Sequence, residues 1–301
     1  MSYNTYPTQP SSDSSNYPNK SLQSTAPNPY DQPPPYQTST YNASNDSREQ
    51  KFREIINKYE ISLFFADKLQ LLNMFKIVFV FDDSGSMNAT LSDSPLNSGL
   101  LKATRWDELQ YFSKISIEIA NIFNENGTDI YFLNRPMARH ISSADQLLPY
   151  FQNKPSGYTP ISRVLRTILA NNHPGELGER KLLIIIVTDG EPTDDYGRVD
   201  THTFKEVLKS RNHTTYTTIV SCTDEDETMN YLNNWDKTLP RLDVVDDYRN
   251  ERLEILRAQG RTFSFSFGDY VVKSIIGSID QKLDNLDENF YGSNQGCCAV
   301  L

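Results

Sequence analysis

The sequence predicts a doubly wound α/β fold: a mostly parallel sheet of the Rossmann-like kind, with helices on both faces. Three observations predict it. Strand-length apolar runs alternate with segments of helical period from residue 73 to 285. Two of the runs, 75–81 and 182–187, are almost wholly apolar, as strands buried on both faces must be. Turns rich in Asp, Ser, Thr and Gly follow those runs, where such sheets carry their ligand loops.

The elements follow in order. Residues 1–50 are dominated by Tyr, Pro, Ser, Asn, Gln and Thr and hold half of the 16 prolines. So few aliphatic side chains cannot offset ordering entropy, and this stretch is expected to be a disordered tail. Phe52, Ile55, Ile56 and Tyr59 then recur at helical spacing, as do Leu63, Phe64, Ala66, Leu69 and Leu72, predicting two short lead-in helices over 51–72. Strands are expected at 75–81, 129–133, 182–188, 217–222 and 262–267, with a short antiparallel edge strand near 138–141. Helices are expected at 104–124, 143–151, 160–170, 201–210, 246–258 and 270–283. Thr104 suits a helix cap, Pro160 a first turn and Gly260 a helix exit. Residues 286–301 lose periodicity and read as a flexible tail.

Composition excludes several functions. With 29 basic against 39 acidic residues and a net charge of -10, nucleic acid is not the expected partner. Cys222, Cys297 and Cys298 cannot form a disulfide framework, so a reducing, cytoplasmic compartment is expected. No apolar run reaches membrane-spanning length. The first residues lack a basic region followed by an apolar core, and Ser2 does not fit N-myristoylation.

Hard oxygen donors gather in three turns. Asp82, Ser84 and Ser86 alternate after the first apolar strand, with Gly85 permitting a tight path. Thr159 lies in Gly157-Tyr158-Thr159-Pro160, and Asp189 in Thr188-Asp189-Gly190 after the second apolar strand. Five oxygen ligands with only two carboxylates suit Mg²⁺ or another divalent cation such as Mn²⁺. None is Cys or His, which argues against zinc. Singly, each turn reads as an ordinary helix cap or strand exit; together they read as one site.

The Asp82-x-Ser84-x-Ser86 run, the Gly-x-Thr159-Pro loop and the Thr188-Asp189-Gly190 turn, in that order, resemble the metal-ion-dependent adhesion site of von Willebrand factor A domains. The resemblance covers roughly 73–285. It implies that Ser84, Ser86 and Thr159 hold one Mg²⁺ directly and Asp82 and Asp189 directly or through water. It further implies that an open coordination position takes a Glu or Asp carboxylate of a protein partner, with no bond made or broken. One departure stands out: position 83 is a second aspartate, which adds negative charge near the ion.

Two other readings compete. A strand ending in two aspartates resembles haloacid dehalogenase-like phosphotransferases, with Gly268-Asp269 as a distal match. That family needs a second Asp two residues after the first, where this chain has Ser84. Other phosphate-loop, serine-hydrolase and zinc-protease patterns are missing, so no catalytic residues are expected. The third reading is a metal-free scaffold whose tails carry the biology.

Those tails hold two motifs. Pro33-Pro34-Pro35-Tyr36 matches the PPxY ligand of WW domains, a pre-extended polyproline segment of the kind read by WW-domain ubiquitin ligases. The ending Cys298-Ala299-Val300-Leu301 matches a prenylation box, its leucine favouring geranylgeranyl. One lipid chain holds a membrane only marginally, so Cys297 is the candidate for a second, palmitoyl anchor. Together they predict a lipid-tethered adaptor at the cytoplasmic face of a membrane.

Overall fold

The computed structural model describes residues 42–223, 225, 229–232 and 235–288. Pro33, Pro34, Tyr36, Cys297 and Cys298 lie outside the described residues.

Six strands form one sheet in the order β3-β2-β1-β4-β5-β6. They are β1 (Phe75–Phe81), β2 (Thr128–Phe132), β3 (Ala138–Ile141), β4 (Lys181–Thr188), β5 (Thr215–Ser221) and β6 (Leu242–Val245). β3 pairs antiparallel to β2, and the other neighbours are parallel. The chain winds outward from β1 in one direction and from β4 in the other. The sheet is therefore doubly wound, with its switch point between β1 and β4.

Burial explains why the central strands carry no polar alternation. Alternate residues feed opposite faces. Ile77, Phe79 and Phe81 join Leu183, Ile185 and Val187 in one core cluster. Val78 and Val80 join Leu182, Ile184 and Ile186 in the other. The first cluster is covered by helices α1 (Asn42–Lys58), α2 (Arg105–Phe123), α5 (Tyr248–Gln259) and α6 (Phe267–Ile276). The second is covered by α3 (Ile161–Asn171) and α4 (Thr201–Lys209). Among the described residues no helix is long and apolar enough to cross a membrane.

Three expectations need correction. Residues 262–267 form no strand; a turn closed by Phe263 N–H on Gly260 O leads through Phe265 into the Ser266 cap of α6. Their alternation is met by packing: Phe263 meets Phe64, and Phe265 meets Phe65 and Tyr248. The sixth strand is instead β6, a short edge strand interrupted by buried Asp243. Helix α1 begins at Asn42, inside the stretch expected to be disordered. It is one 17-residue helix, and the second lead-in element is the turn Leu63–Ala66 running into a 3₁₀ segment, Asp67–Met74.

Candidate metal centre

The first turn leaves β1 at the switch point. Asp82 is 1% exposed and sits beside β4, its N–H donating to Val187 O at 3.0 Å. Both its oxygens are engaged: Oδ1 accepts from Ser84 N–H at 2.8 Å, and Oδ2 from the Thr188 hydroxyl at 2.6 Å. The first bond bends the chain back on itself, so that Ser84 and Ser86 share a side with Oγ atoms 3.0 Å apart. Ser86 then donates to Asp189 Oδ1 at 2.8 Å. Asp82, Ser84, Ser86 and Asp189 are thus one contiguous cluster of oxygens across two loops.

The third loop docks on the first through backbone. Gly85 N–H donates to Gly157 O at 3.1 Å, and Ser156 N–H to Asp83 O at 2.8 Å. Gly157 has φ +105°, and a Cβ there would meet the Asn134 side chain at 2.5 Å, so only glycine brings this loop in so closely. Thr159, 7% exposed, is fixed from the other side: its N–H donates to Thr193 Oγ1 and its carbonyl accepts from Thr193 N–H, both at 2.9 Å. The loop after β4 therefore clasps the threonine.

The electrostatics favour a cation. Burial raises the carboxyl of Asp82, and the charge of Asp189 adds to it; the bonds from Ser84 and Thr188 oppose the shift. Burial also raises Asp189, against the hydrogen bonds from Arg105 and Ser86. Two crowded, desolvated carboxylates flanked by hydroxyls are what a hard divalent ion relieves. Asp82, Ser84, Ser86 and Asp189 are the joined donors that would hold such an ion; Thr159 lies on the adjoining loop, and its side chain makes no hydrogen bond to them.

Two residues beyond the sequence reading shape the charge. Arg105, its side chain 5% exposed, places Nη1 2.9 Å from Asp189 Oδ2 and Nη2 3.0 Å from Glu225 Oε1. A signal for it exists in the sequence: an arginine at the first position of a helix stands against the macrodipole and needs a nearby anion. Arg135 accounts for the odd Asp83. The Asp83 carboxylate turns away from the cluster, accepts from Asn134 N–H at 2.8 Å and lies 3.2 Å from Arg135 Nε. The Arg135 guanidinium in turn covers the Trp106 ring at 4.7 Å. Asp83 is neutralised on the far side of the turn.

The distal aspartate of the phosphotransferase reading has a structural task. Asp269 accepts from Ser62 N–H at 2.8 Å and from Ser266 N–H at 3.0 Å, closing the cap of α6. Cys222 is buried, with its sulfur 3.5 Å from Met87 Sδ.

Fold and site define a class: a doubly wound α/β domain with a buried cluster of carboxylates and hydroxyls at its switch point. No family model matches the chain, and no curated protein matches it. Among solved structures it is similar to the manganese-loaded TRAP protein of Plasmodium vivax. The identity is 14%, over 60% of this chain and 72% of that one, with a TM-score of 0.34. The fold assignment rests on the strand order itself.

Proposed function

We propose that the protein is a von Willebrand factor A-type binding module that holds one Mg²⁺ or Mn²⁺ at the rim of its sheet and uses it to capture an acidic residue of a protein partner. The observation that carries this reading is the Ser86–Asp189 contact at 2.8 Å, which joins loops 103 residues apart into one donor set. Once bound, the ion supplies a hard positive centre that a carboxylate can enter.

The chain's own residues do the rest. Asp82 and Asp189 supply two negative charges, and Arg105 offsets part of that at Asp189. Arg135 removes Asp83 from the sum. The pocket's charge is thereby kept small enough for a loaded site to remain attractive to an anion. Tyr158, beside Thr159, is 55% exposed, and Tyr196 is 78% exposed on the loop that clasps it. Exposed aromatics around a charged centre suit a protein-binding face.

The reading needs no bond-making group. Ser84 stands where a phosphotransferase needs its acid/base, and Asp269 is committed to a helix cap. The Pro33-Pro34-Pro35-Tyr36 segment adds a ligand for a WW-domain protein, making the chain an adaptor.

The test is calorimetric titration of MnCl₂ and MgCl₂ into metal-stripped protein, with pull-downs in Mg²⁺ and in EDTA. One binding site, lost in Asp82→Ala and Asp189→Ala together with partner capture, is expected. Absence of ion binding, or capture indifferent to EDTA and to both substitutions, would return the chain to the metal-free scaffold. Phosphate release from a generic ester that depends on Asp82 would make it an enzyme.

A further inference from the structure

A hollow opens on the same rim, where β5 and β6 end. Its volume is about 440 Å³, room for a long side chain and far more than one ion requires. Glu225, Asp236, Asp246, Asp247, Glu254 and Asp287 line it. Lys237 is the cation among the described lining residues, and its Nζ lies 3.3 Å from Glu288. Glu251, also in the wall, is met by the buried Lys273 at 2.8 Å.

Acidity alone says little on a chain with a net charge of -10. The informative atom is Asp247 Oδ2. Asp247 is 6% exposed. Its Oδ1 caps α5, accepting from Arg249 N–H at 3.1 Å and Asn250 N–H at 3.4 Å. Its Oδ2 is buried with no hydrogen-bond partner. A desolvated carboxylate oxygen without a donor is costly. Burial lifts the Asp247 carboxyl to about 6. Burial and the charges of Asp246 and Asp287 also push Glu254 up.

We propose that this hollow receives a lysine or arginine side chain of a partner protein, with Asp247 as its principal acceptor. An elongated cation with several N–H donors answers a carboxylate-lined space of this size. The residues outside the described ones include a single basic side chain, Lys20, so the chain's own tails bring little complementary charge. A second copy brings the same net charge of -10, which opposes association. The hollow adjoins the candidate metal centre: Glu225 in its wall pairs with Arg105 at 3.0 Å, and Arg105 with Asp189 at 2.9 Å. The inference itself concerns the hollow alone and stands without a bound metal.

The experiment uses metal-stripped full-length protein. It is titrated separately with acetyl-Gly-Arg-Gly-amide, with its citrulline counterpart and with CaCl₂, and the amide resonances of Asn250 and Glu254 are followed. Saturable shifts with the arginine peptide alone are expected. They should weaken about tenfold in Asp247→Asn, the loss of one charge-assisted hydrogen bond. Asparagine keeps the helix cap, and Glu254→Gln, an exposed change that leaves folding alone, should weaken them to a smaller degree. The same shifts in Asp82→Ala protein would separate this site from the metal centre. No saturable response to the arginine peptide overturns the proposal. So does an equal response to citrulline, or unchanged affinity in both hollow variants. Saturable Ca²⁺ binding at these amides would make the hollow a metal site instead.

Discussion

Arg105 Nη1 and Asp189 Oδ2 lie 2.9 Å apart with both side chains buried, so a fixed cation sits beside the oxygen cluster proposed to hold a mobile one. This pair sets two opposed effects. In the metal-free protein the guanidinium offsets a desolvated carboxylate; in the loaded protein it repels the ion. At an effective dielectric near 20, a unit charge repels a neighbouring divalent ion by a few kcal/mol before screening.

Arg105→Met should therefore bind Mn²⁺ about tenfold or more tightly than wild type. The metal-free variant should lose about 3–5 kcal/mol of stability, because Asp189 is left buried without its counter-ion. Calorimetry and urea melts in EDTA read the two effects separately. Weaker Mn²⁺ binding would show that Arg105 positions Asp189 more than it opposes the ion.

Gly157→Ala tests the docking of the threonine loop. The backbone there has φ +105°, and the new methyl would press on Asn134 at 2.5 Å. The strained conformation alone should cost about 1–3 kcal/mol. Because Thr159 lies two residues on, Mn²⁺ affinity should fall along with the melting temperature. Unchanged metal affinity in a stably folded Gly157→Ala protein would remove Thr159 from the donor set.

Much of this was legible in the sequence for a physical reason. β1 and β4 are buried on both faces, so their apolar runs could be read without knowing their neighbours. The turns after them carry hard oxygen donors at the place where this sheet type exposes its loops, and the structure joins Asp82, Ser84, Ser86 and Asp189 directly. What escaped was stabilised from far away. β6 hides because Asp243 is a poor strand residue. Its burial depends on Lys273, whose charge lowers its raised pKa, and on the absence of a side chain at Gly277, where a Cβ would lie 1.7 Å from its Oδ2. Phe263 and Phe265 mimic a strand by alternation, yet no partner strand reaches them. Arg135 acts on a residue 52 positions away, beyond any local pattern, and Arg105, whose place at a helix start asks for an anion, finds it 84 positions away.

Lys273 gives a prediction about the edge of the sheet. It is 1% exposed, with Nζ 2.8 Å from Glu251 Oε1 and 3.3 Å from Asp287 Oδ2. Lys273→Met would leave Glu251 buried and uncompensated, at a cost of about 3–5 kcal/mol. The double variant Lys273→Met with Glu251→Met removes the closest pair and should recover part of that loss, since buried Asp243 still lacks the lysine's charge. Urea melts of the single and double variants check it; a double variant as unstable as Lys273→Met would mean that Glu251 does not set the cost, leaving packing or the buried Asp243 that Lys273 also faces.

Asp247 predicts a pH dependence whose sign is opposite to that of a salt-bridged aspartate. Its folded carboxyl titrates at about 6 against an ordinary value of 3.8. Between those values the folded chain holds a proton that the unfolded chain has released. Stability therefore falls as pH rises from about 4 to about 6, and the full cost is present above the folded value. Asp247→Asn removes the charge and keeps the cap, so in EDTA it should exceed wild type by on the order of 1–3 kcal/mol at pH 7. That difference should shrink toward zero near pH 4, and urea melts across this range measure it. The arginine peptide, at one concentration for both proteins, should narrow the gap at pH 7 by stabilising the wild type more than the variant, since an ionised Asp247 adds a partner for its cation. A gap that stays constant across the pH range would mean that Asp247 finds a donor in solution and that its burial carries no strain to be relieved.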